Sequence, residues 1–301
     1  MSLGENVLRK RTAGILNGAI ASISYGTNPL FALPLYMGGI GVNSVLFYRY
    51  AIAVVVYGLW LKLVKKVSLS ISKTEIIPLL AMGLLFSLSS LTLFEAFNHI
   101  EAGIACTILF IYPVLVAIIM AVFYKEKLSK RVISAIILTS LGIILLYKGK
   151  PDSNLNLGGV SIVFLSALLY AFYIVGVKNL KALKHIKYEK LSFYVMFFGL
   201  LVYIFNLKFC TQLQIIDRPL LWVFAIALSI IPTIISLETI NIAIKLIGST
   251  TTAILGALEP LTAIFFGVVI FHEQLTARIV LGVILILIGV LIIVSKKSKH
   301  S

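Results

Sequence analysis

The sequence predicts an all-α membrane protein with ten transmembrane helices arranged as two inverted five-helix repeats. Of its 301 residues, 60% are hydrophobic and only 12% are charged, and the mean hydropathy is +1.08. A soluble domain of this length cannot bury so much apolar surface in one core. In addition, the pattern of residues 96–147 returns 147 positions later. Composition therefore predicts the membrane, and repetition predicts the two halves.

The repetition is carried by an E-x-L-[ST]-x-x-R motif that follows a proline-containing apolar stretch in each half. The paired residues are Pro113 and Pro260, Glu126 and Glu273, Leu128 and Leu275, Arg131 and Arg278, and Gly142 and Gly289. We assign residues 1–149 to the first repeat and residues 150–301 to the second. Because each repeat holds an odd number of predicted crossings, the second repeat enters the membrane in the opposite orientation.

Ten apolar segments are of membrane-spanning length, for which about 20 residues are needed. They are residues 13–36, 43–63, 74–97, 102–123, 130–147, 158–177, 191–207, 220–242, 250–271 and 277–294. The loops between them are short, so we expect no attached soluble domain. The first segment follows three basic residues, as in a signal peptide, but it is too long for a signal peptide and lacks a convincing cleavage site. We therefore interpret it as a membrane span.

The basic residues predict how the chain is oriented, because Lys and Arg in short loops stay on the cytoplasmic side. With the N-terminus inside, 20 of the 26 Lys and Arg residues lie in inner segments, five lie in outer loops, and Arg49 lies within the second span. We therefore expect both termini in the cytoplasm and the chain in a bacterial inner membrane. The net charge of +15 is dispersed through loops, which indicates contact with the lipid bilayer and no nucleic-acid partner.

The first and sixth helices correspond between the halves, and both carry polar or aromatic interruptions. Residues 25–29 read Tyr-Gly-Thr-Asn-Pro, and residues 170–173 read Tyr-Ala-Phe-Tyr. Pro29 has no backbone N–H, so the carbonyl near Tyr25 needs a partner from Asn28, a neighbouring helix or water. Kinks at matching positions indicate a cavity between the halves. The alternative is that Pro29 and Pro34 only shape helix packing.

Two stretches of the chain carry a family resemblance. They are AFNHIEAGIACTILFIYPVLVAIIMAVFYKEKLSKRVISAIILTSLGIILL and AIKLIGSTTTAILGALEPLTAIFFGVVIFHEQLTARIVLGVILILIGVLII, together with the F-Y-R-Y of residues 47–50. These stretches resemble the paired repeats of the EamA-type drug/metabolite transporter superfamily. The resemblance implies ten helices around a central pathway that carries amino acids, sugars, nucleotide-linked compounds or other small metabolites, often outward. One difference is that Tyr112 stands in the first repeat where the second has Glu259.

Among the charged side chains of the predicted spans, Glu259 and Arg49 lie farthest from a span end. A charged group costs about 2.5–3.5 kcal/mol at the bilayer centre unless a partner or water offsets it. Glu259 lies near the middle of the ninth span. It is compatible with contact to a substrate ammonium group, with carrying a proton, or with a structural role as a buried acceptor. Arg49 is compatible with snorkelling to the outer interface, with pairing to a carboxylate, or with contact to a substrate carboxylate.

Further residues extend the candidate pathway. Glu95 lies toward the outer end of the third helix and Glu238 toward the inner end of the eighth, and each is compatible with a vestibule or with a membrane interface. We predict that the substrate pathway involves Tyr25, Asn28, Tyr48, Arg49, Glu95, Tyr112, Tyr170, Tyr173, Glu238 and Glu259. An aromatic, amide-bearing lining with one central carboxylate favours an amino acid or amphipathic metabolite over a nucleotide sugar, which would need several basic groups.

The loop motif predicts structural contacts. Ser129 and Thr276 are suited to cap the helices that follow them, so we interpret the motif as a helix-turn-helix clamp. Gly142 and Gly289 offer small faces on which helices can approach closely. Cys106 lies within a span, and we interpret it as a packed apolar residue.

The sequence predicts no catalytic residue, no metal site and no cofactor. The chain lacks paired membrane aspartates, an H-E-x-x-H motif and a Gly-rich phosphate loop. We therefore expect a secondary carrier of small metabolites such as amino acids, and the family resemblance implies that it is an exporter. Protons are a candidate coupling ion, and facilitated efflux down a gradient is the alternative. The alternatives are a transporter of sugars or nucleotide-linked metabolites, a passive channel and an intramembrane enzyme.

Overall fold

The computed structural model describes residues 3–100, 102–146, 156–271 and 276–294, and within these ranges it contains helices and turns but no β-strand. The helices are α1 (Leu3–Tyr25), α2 (Asn28–Met37), α3 (Val42–Leu63), α4 (Lys73–Ala96), α5 (Ala102–Leu109), α6 (Tyr112–Tyr124), α7 (Lys130–Leu146), α8 (Leu157–Asn179), α9 (Tyr188–Asn206), α10 (Pro219–Ser229), α11 (Ser236–Ile247), α12 (Ser249–Leu255), α13 (Leu258–Phe271) and α14 (Ala277–Val294). Each predicted span coincides with one helix or with consecutive helices.

Five helical stretches of the described chain are long and apolar enough to cross a membrane. They are Val42–Leu63, Lys73–Ala96, Leu157–Asn179, Tyr188–Asn206 and Pro219–Ile247. The last of these is continuous because a π-helical segment joins α10 to α11. These lengths and compositions are those of a multi-pass membrane protein. That the chain crosses the membrane ten times stays a prediction.

Three predicted spans are each built from two helices placed end to end. The breaks fall at residues 26–27, 110–111 and 256–257. In each span the second helix has a proline in its first turn, where a backbone N–H would have no partner within the helix in any case. These prolines are Pro29, Pro113 and Pro260.

The expected interruption of the sixth helix is absent. α8 runs without a break through Tyr170 and Tyr173, because it contains no proline and its backbone donors remain available to the helix. The breaks that match between the repeats are those of the fourth and ninth predicted spans. Of the three partners open for the freed carbonyl, Asn28 is not observed, since its side chain has no hydrogen-bond partner in the described ranges.

Equivalent helices of the two repeats pack against each other in opposite directions. In α7, Gly142 lies against Ile286 of α14, whereas Ala135, one heptad earlier in α7, lies against Gly289, which is later in α14. α3 and α9 also run antiparallel, since Gly58 lies against Phe193 and Tyr50 lies against Gly199. In addition, the first span packs against the eighth, as α1 on α11, and the third span packs against the sixth, as α4 on α8. The packing therefore has an approximate twofold relation between the halves.

The predicted helix caps are confirmed. The hydroxyls of Ser129 and Thr276 each accept a bond from the backbone N–H three residues later, at 3.3 and 3.4 Å. Glu126 accepts a hydrogen bond from the hydroxyl of Thr250 at 3.3 Å, which ties the loop after α6 to the start of α12. The second motif glutamate, Glu273, lies outside the described residues.

The contact between α7 and α14 generates a stability prediction. A Cβ atom at Gly142 would lie 2.7 Å from the carbonyl oxygen of Gly282. Gly142→Val is expected to lower the melting temperature of the detergent-solubilised protein, because overpacking costs about 1–3 kcal/mol. Leu141→Val, at a neighbouring position that is 48% exposed, is the control and should leave it nearly unchanged. Equal melting temperatures for the two variants would show that this helix contact is not tight.

Candidate functional site

The three helix breaks meet in the interior of the protein. A Cβ atom at Gly26 would lie 2.5 Å from the backbone oxygen of Glu259, so the first break touches the start of α13. The hydroxyl of Tyr112, at the start of α6, occupies the space that a Cβ atom at Gly256 would need, within the third break. Irregular backbone at membrane depth must be covered by protein or line a cavity. Here the breaks cover one another.

A small crevice lies beside the breaks. Its lining residues are Tyr25, Gly26, Asn28, Pro29, Leu93, Cys106, Leu109 and Glu259. The open volume is about 10 Å³, which is room for about one water molecule. In this conformation the crevice is therefore too small for any metabolite. Binding of a metabolite there would require the helix segments around the crevice to move.

The carboxyl group of Glu259 is the acidic group of the crevice. Its side chain is 8% exposed, and its Oε1 atom accepts a hydrogen bond from the hydroxyl of Tyr112 at 3.1 Å. No basic residue in the described ranges forms an ion pair with it. A carboxylate that receives one bond from a neutral donor keeps acceptor capacity for a cation or a proton.

Tyrosine rings form an aromatic wall next to the crevice. Tyr25 and Tyr170 are stacked, with ring centroids 6.0 Å apart, and Tyr112 meets Tyr170 edge-on at 4.9 Å. Tyr173 stacks on Tyr170 at 6.2 Å, and its hydroxyl donates to Oδ1 of Asn241 at 2.7 Å. The wall therefore joins the first and sixth predicted helices and is held by a buried amide.

Arg49 lies near this wall and is fully buried. Its Nε atom donates to the hydroxyl of Thr233 at 2.6 Å, and its Nη2 atom donates to the carbonyl of Pro232 at 3.1 Å. Of the interpretations open from the sequence, snorkelling to the interface is not observed. No carboxylate in the described part of the chain forms an ion pair with Arg49, and its Nη1 atom has no hydrogen-bond partner there.

The π-helical segment Ile230–Ile235 explains how Arg49 is held. Pro232 has no N–H and so cannot donate to the carbonyl of Leu228. The hydroxyl of Thr233 donates to that carbonyl instead, at 2.7 Å, while it accepts the bond from Arg49. π-helical turns are frequent at functional sites. In this protein the segment supplies two acceptors to a buried guanidinium group.

Seven of the ten predicted site residues lie in or beside this region. Tyr25, Asn28 and Glu259 line the crevice. The other four are joined to them by a hydrogen bond, ring contacts or a cation–π contact, and they are Arg49, Tyr112, Tyr170 and Tyr173.

The remaining three lie outside it. Tyr48 donates its hydroxyl to the carbonyl of Gln214 at 3.0 Å. Glu95 lies 3.5 Å from His99, and both side chains are well exposed. Glu238 is partly buried in the first turn of α11.

The structure adds residues that sequence reasoning missed. Cys106 lines the crevice, although nothing in its sequence context distinguishes it from a packed apolar residue. Thr233 supports Arg49, and here a signal was present. A proline inside a predicted span leaves a carbonyl without its donor, and a hydroxyl directly after the proline is a candidate to replace that donor.

Comparisons with known proteins identify one family. The EamA-like transporter family matches residues 12–148 and again residues 157–295. An uncharacterized transporter of Archaeoglobus fulgidus is 29% identical over 216 residues, which are 71% of this chain and 75% of that protein. The uncharacterized transporter YxxF of Bacillus subtilis is 34% identical over 104 residues, 34% of this chain and 33% of YxxF. One solved crystal structure covers 93% of this chain and 96% of its own, with a TM-score of 0.77 and 16% identity, which shows a shared fold.

The bond between Tyr112 and Glu259 generates a second prediction. Tyr112→Phe removes the one observed donor to a buried carboxyl group and leaves the ring in place. We expect a lower melting temperature in detergent, because a buried polar group without its partner costs about 1–3 kcal/mol. Tyr124→Phe is the matched control, since Tyr124 is 45% exposed and makes no such bond. An unchanged melting temperature for Tyr112→Phe would mean that this hydrogen bond contributes nothing to stability.

Proposed function

Because the chain belongs to the EamA-like transporter family, we propose that it is a secondary transporter that exports small metabolites such as amino acids by alternating access. The observation that carries this proposal is the closed crevice at the meeting point of three broken helices, with Glu259 in its wall. In secondary transporters, substrates and coupling ions bind near the bilayer midplane between the repeats, at discontinuous helices.

The packing of the repeats supports alternating access. Equivalent helices that run antiparallel, as α7 and α14 do, are the arrangement expected for two inverted repeats, here residues 1–149 and 150–301. Ten crossings with both termini in the cytoplasm fit that arrangement and the distribution of basic residues. In this proposal the two halves rock about the crevice, which opens to one side of a bacterial inner membrane at a time.

The broken helices support a gating role for the crevice. A volume of about 10 Å³ is too small for an amino acid, so the crevice must enlarge before it can hold one. The short non-helical connections at residues 26–27, 110–111 and 256–257 are places where backbone dihedral angles can change without loss of a full helix. Small movements of the half-helices on either side would enlarge the crevice.

The chemistry of the lining favours an amino acid or a related amphipathic metabolite. Glu259 suits an ammonium group, and the tyrosine wall suits an apolar or aromatic body, including contact between a cation and a ring. A sugar or nucleotide-linked substrate is the second candidate. It has less support, because Arg49 is the one fully buried basic side chain in the described ranges, and a nucleotide diphosphate carries more than one negative charge.

Energy coupling in this proposal depends on Glu259, which binds a proton when the crevice is open to one side and releases it to the other.

The test of the carrier function begins with metabolite profiles of cells with and without the protein. The metabolites that change are then tested for uptake into proteoliposomes, where a carrier shows saturable exchange without product formation. Exchange that does not saturate, or chemical conversion of the metabolite, would contradict a carrier function.

Substitution of Glu259 separates coupling from binding. Glu259→Gln is expected to abolish stimulation of transport by a pH gradient and to retain slower substrate exchange, because the amide can form hydrogen bonds but cannot carry a proton. Glu75→Gln is the matched control, since this residue caps α4 near a membrane surface and glutamine supports the same cap. Full pH-driven transport by Glu259→Gln would eliminate proton coupling through this residue.

Cys106 provides a direct test of alternating access. The chain has two cysteines, so Cys210→Ser leaves Cys106 as the single thiol. A small membrane-impermeant thiol reagent is expected to modify Cys106 slowly from either side of oriented proteoliposomes, because the crevice opens to each side in turn. Cys106→Ser in the same background is the control for background labelling. Modification from one side only, under all gradients tested, would contradict alternating access.

A further inference from the structure

The guanidinium group of Arg49 has a donor that the protein does not use. Two of its nitrogen atoms bond to neutral acceptors of the π-helical segment. The third, Nη1, is buried and has no hydrogen-bond partner in the described ranges. The group is also without an ion pair there. A buried charge without a counter-ion is costly at membrane depth, and such residues commonly mark a substrate or ion pathway.

Aromatic rings reduce this cost but do not replace an anion. The Cζ atom of Arg49 lies 5.2 Å from the ring centroid of Phe94, 5.8 Å from that of Tyr50 and 5.9 Å from that of Tyr25. Ring contacts stabilise the charge of a guanidinium group but accept no in-plane N–H bond in the way that a carboxylate does. The Nη1 donor therefore remains available.

One of these rings also connects Arg49 to the crevice. Tyr25 lines the crevice and also contacts Arg49. Asn28, another lining residue, has neither its amide nitrogen nor its oxygen bonded in the described part of the chain. Polar atoms without a partner in the described ranges therefore occur on Asn28, which lines the crevice with Tyr25 and Glu259, and on Arg49, which contacts the ring of Tyr25.

We propose that Arg49 is an anion subsite that receives a carboxylate group of the cargo when the ring of Tyr25 moves aside. The proposal rests on the proposed transport function and specifies its substrate class as a carboxylate-bearing metabolite with an apolar body. The planar fork of a guanidinium group matches a carboxylate in geometry. A single arginine also matches a single negative charge, whereas a phosphate ester would leave further charge without a partner.

Asn28 is uncharged, and its unbonded amide can donate to or accept from either polar end of the cargo. Arg49 and Glu259 then bind the two opposite charges of the cargo. A purely structural role for Arg49 would involve Nε and Nη2, which support the π-helical segment, and would make no use of Nη1. The two interpretations differ in one measurable quantity, which is how much weaker a compound binds when its carboxylate is removed.

The experiment measures substrate exchange in proteoliposomes with the twenty common amino acids as probes. Each amino acid that is exchanged is then competed by its decarboxylated amine and by its deaminated acid. For the wild-type protein, we expect loss of the carboxylate to weaken competition about 10- to 100-fold, as for a lost charged hydrogen bond. This comparison needs no variant, so it does not depend on whether a substituted protein folds.

Arg49→Lys then tests the residue itself, because lysine keeps the charge and loses the fork. We expect the ratio between amino acid and amine to fall about tenfold, with competition by the amine unchanged. Arg218→Lys, at an exposed position before α10, is the matched control and should leave the ratio unchanged. Equal weakening of both compounds in Arg49→Lys would assign Arg49 to a structural role and overturn the proposal.

Failure of this proposal is distinguishable from failure of the proposed function. Wild-type transport of metabolites without a carboxylate, with amino acids inactive, would overturn the anion subsite and leave the carrier function intact. Equal competition by amino acid and amine would do the same. Absence of saturable transport for every metabolite from the cellular profiles and for every amino acid would overturn both.

Discussion

The absence of water in the membrane interior is the constraint on which the arrangement of this protein depends. Each proline-associated break leaves backbone groups that lipid cannot satisfy, so the breaks must be covered by protein or line a cavity. The fold meets this requirement by bringing them together, with Tyr112 against Gly256 and Gly26 against the backbone of Glu259. The crevice is therefore a consequence of how the interrupted helices pack, and the residues at the breaks become its lining.

The repeat relation adds a second constraint at the same place. Tyr112 and Glu259 occupy equivalent positions of the two repeats and form a hydrogen bond with each other. Residues exchanged by a twofold relation can touch only near its axis, so this pair lies near the approximate axis between the halves. Two glutamates there would repel one another. A tyrosine and a glutamate form a stable pair instead, and the site has asymmetric chemistry within a nearly symmetric fold.

The sequence predicted the positions of the helices well, because length and apolar composition largely determine them. It also predicted the caps at Ser129 and Thr276, which depend on local bonds. It did not predict that the fourth and ninth spans are broken and that α8 is continuous, because the aromatic residues of the sixth helix were interpreted as an interruption, whereas Pro113 and Pro260 were used only to align the repeats. Glu259 and Asn28 were predicted because polar groups are costly in lipid. Cys106 was not, because a thiol is inexpensive at any depth, and its neighbours come from distant parts of the chain.

The unpaired charges suggest how cargo would govern the proposed cycle. In the described ranges Glu259 receives one hydrogen bond, from a neutral donor, and Arg49 forms no ion pair, so this conformation leaves polar interactions unmet in a medium of low polarity. A substrate carrying an ammonium and a carboxylate group would supply both missing partners. A ligand shifts an equilibrium only by its difference in affinity between two states. Binding that satisfies both charges in the occluded state would therefore favour closure around cargo, and thereby couple movement of the halves to substrate.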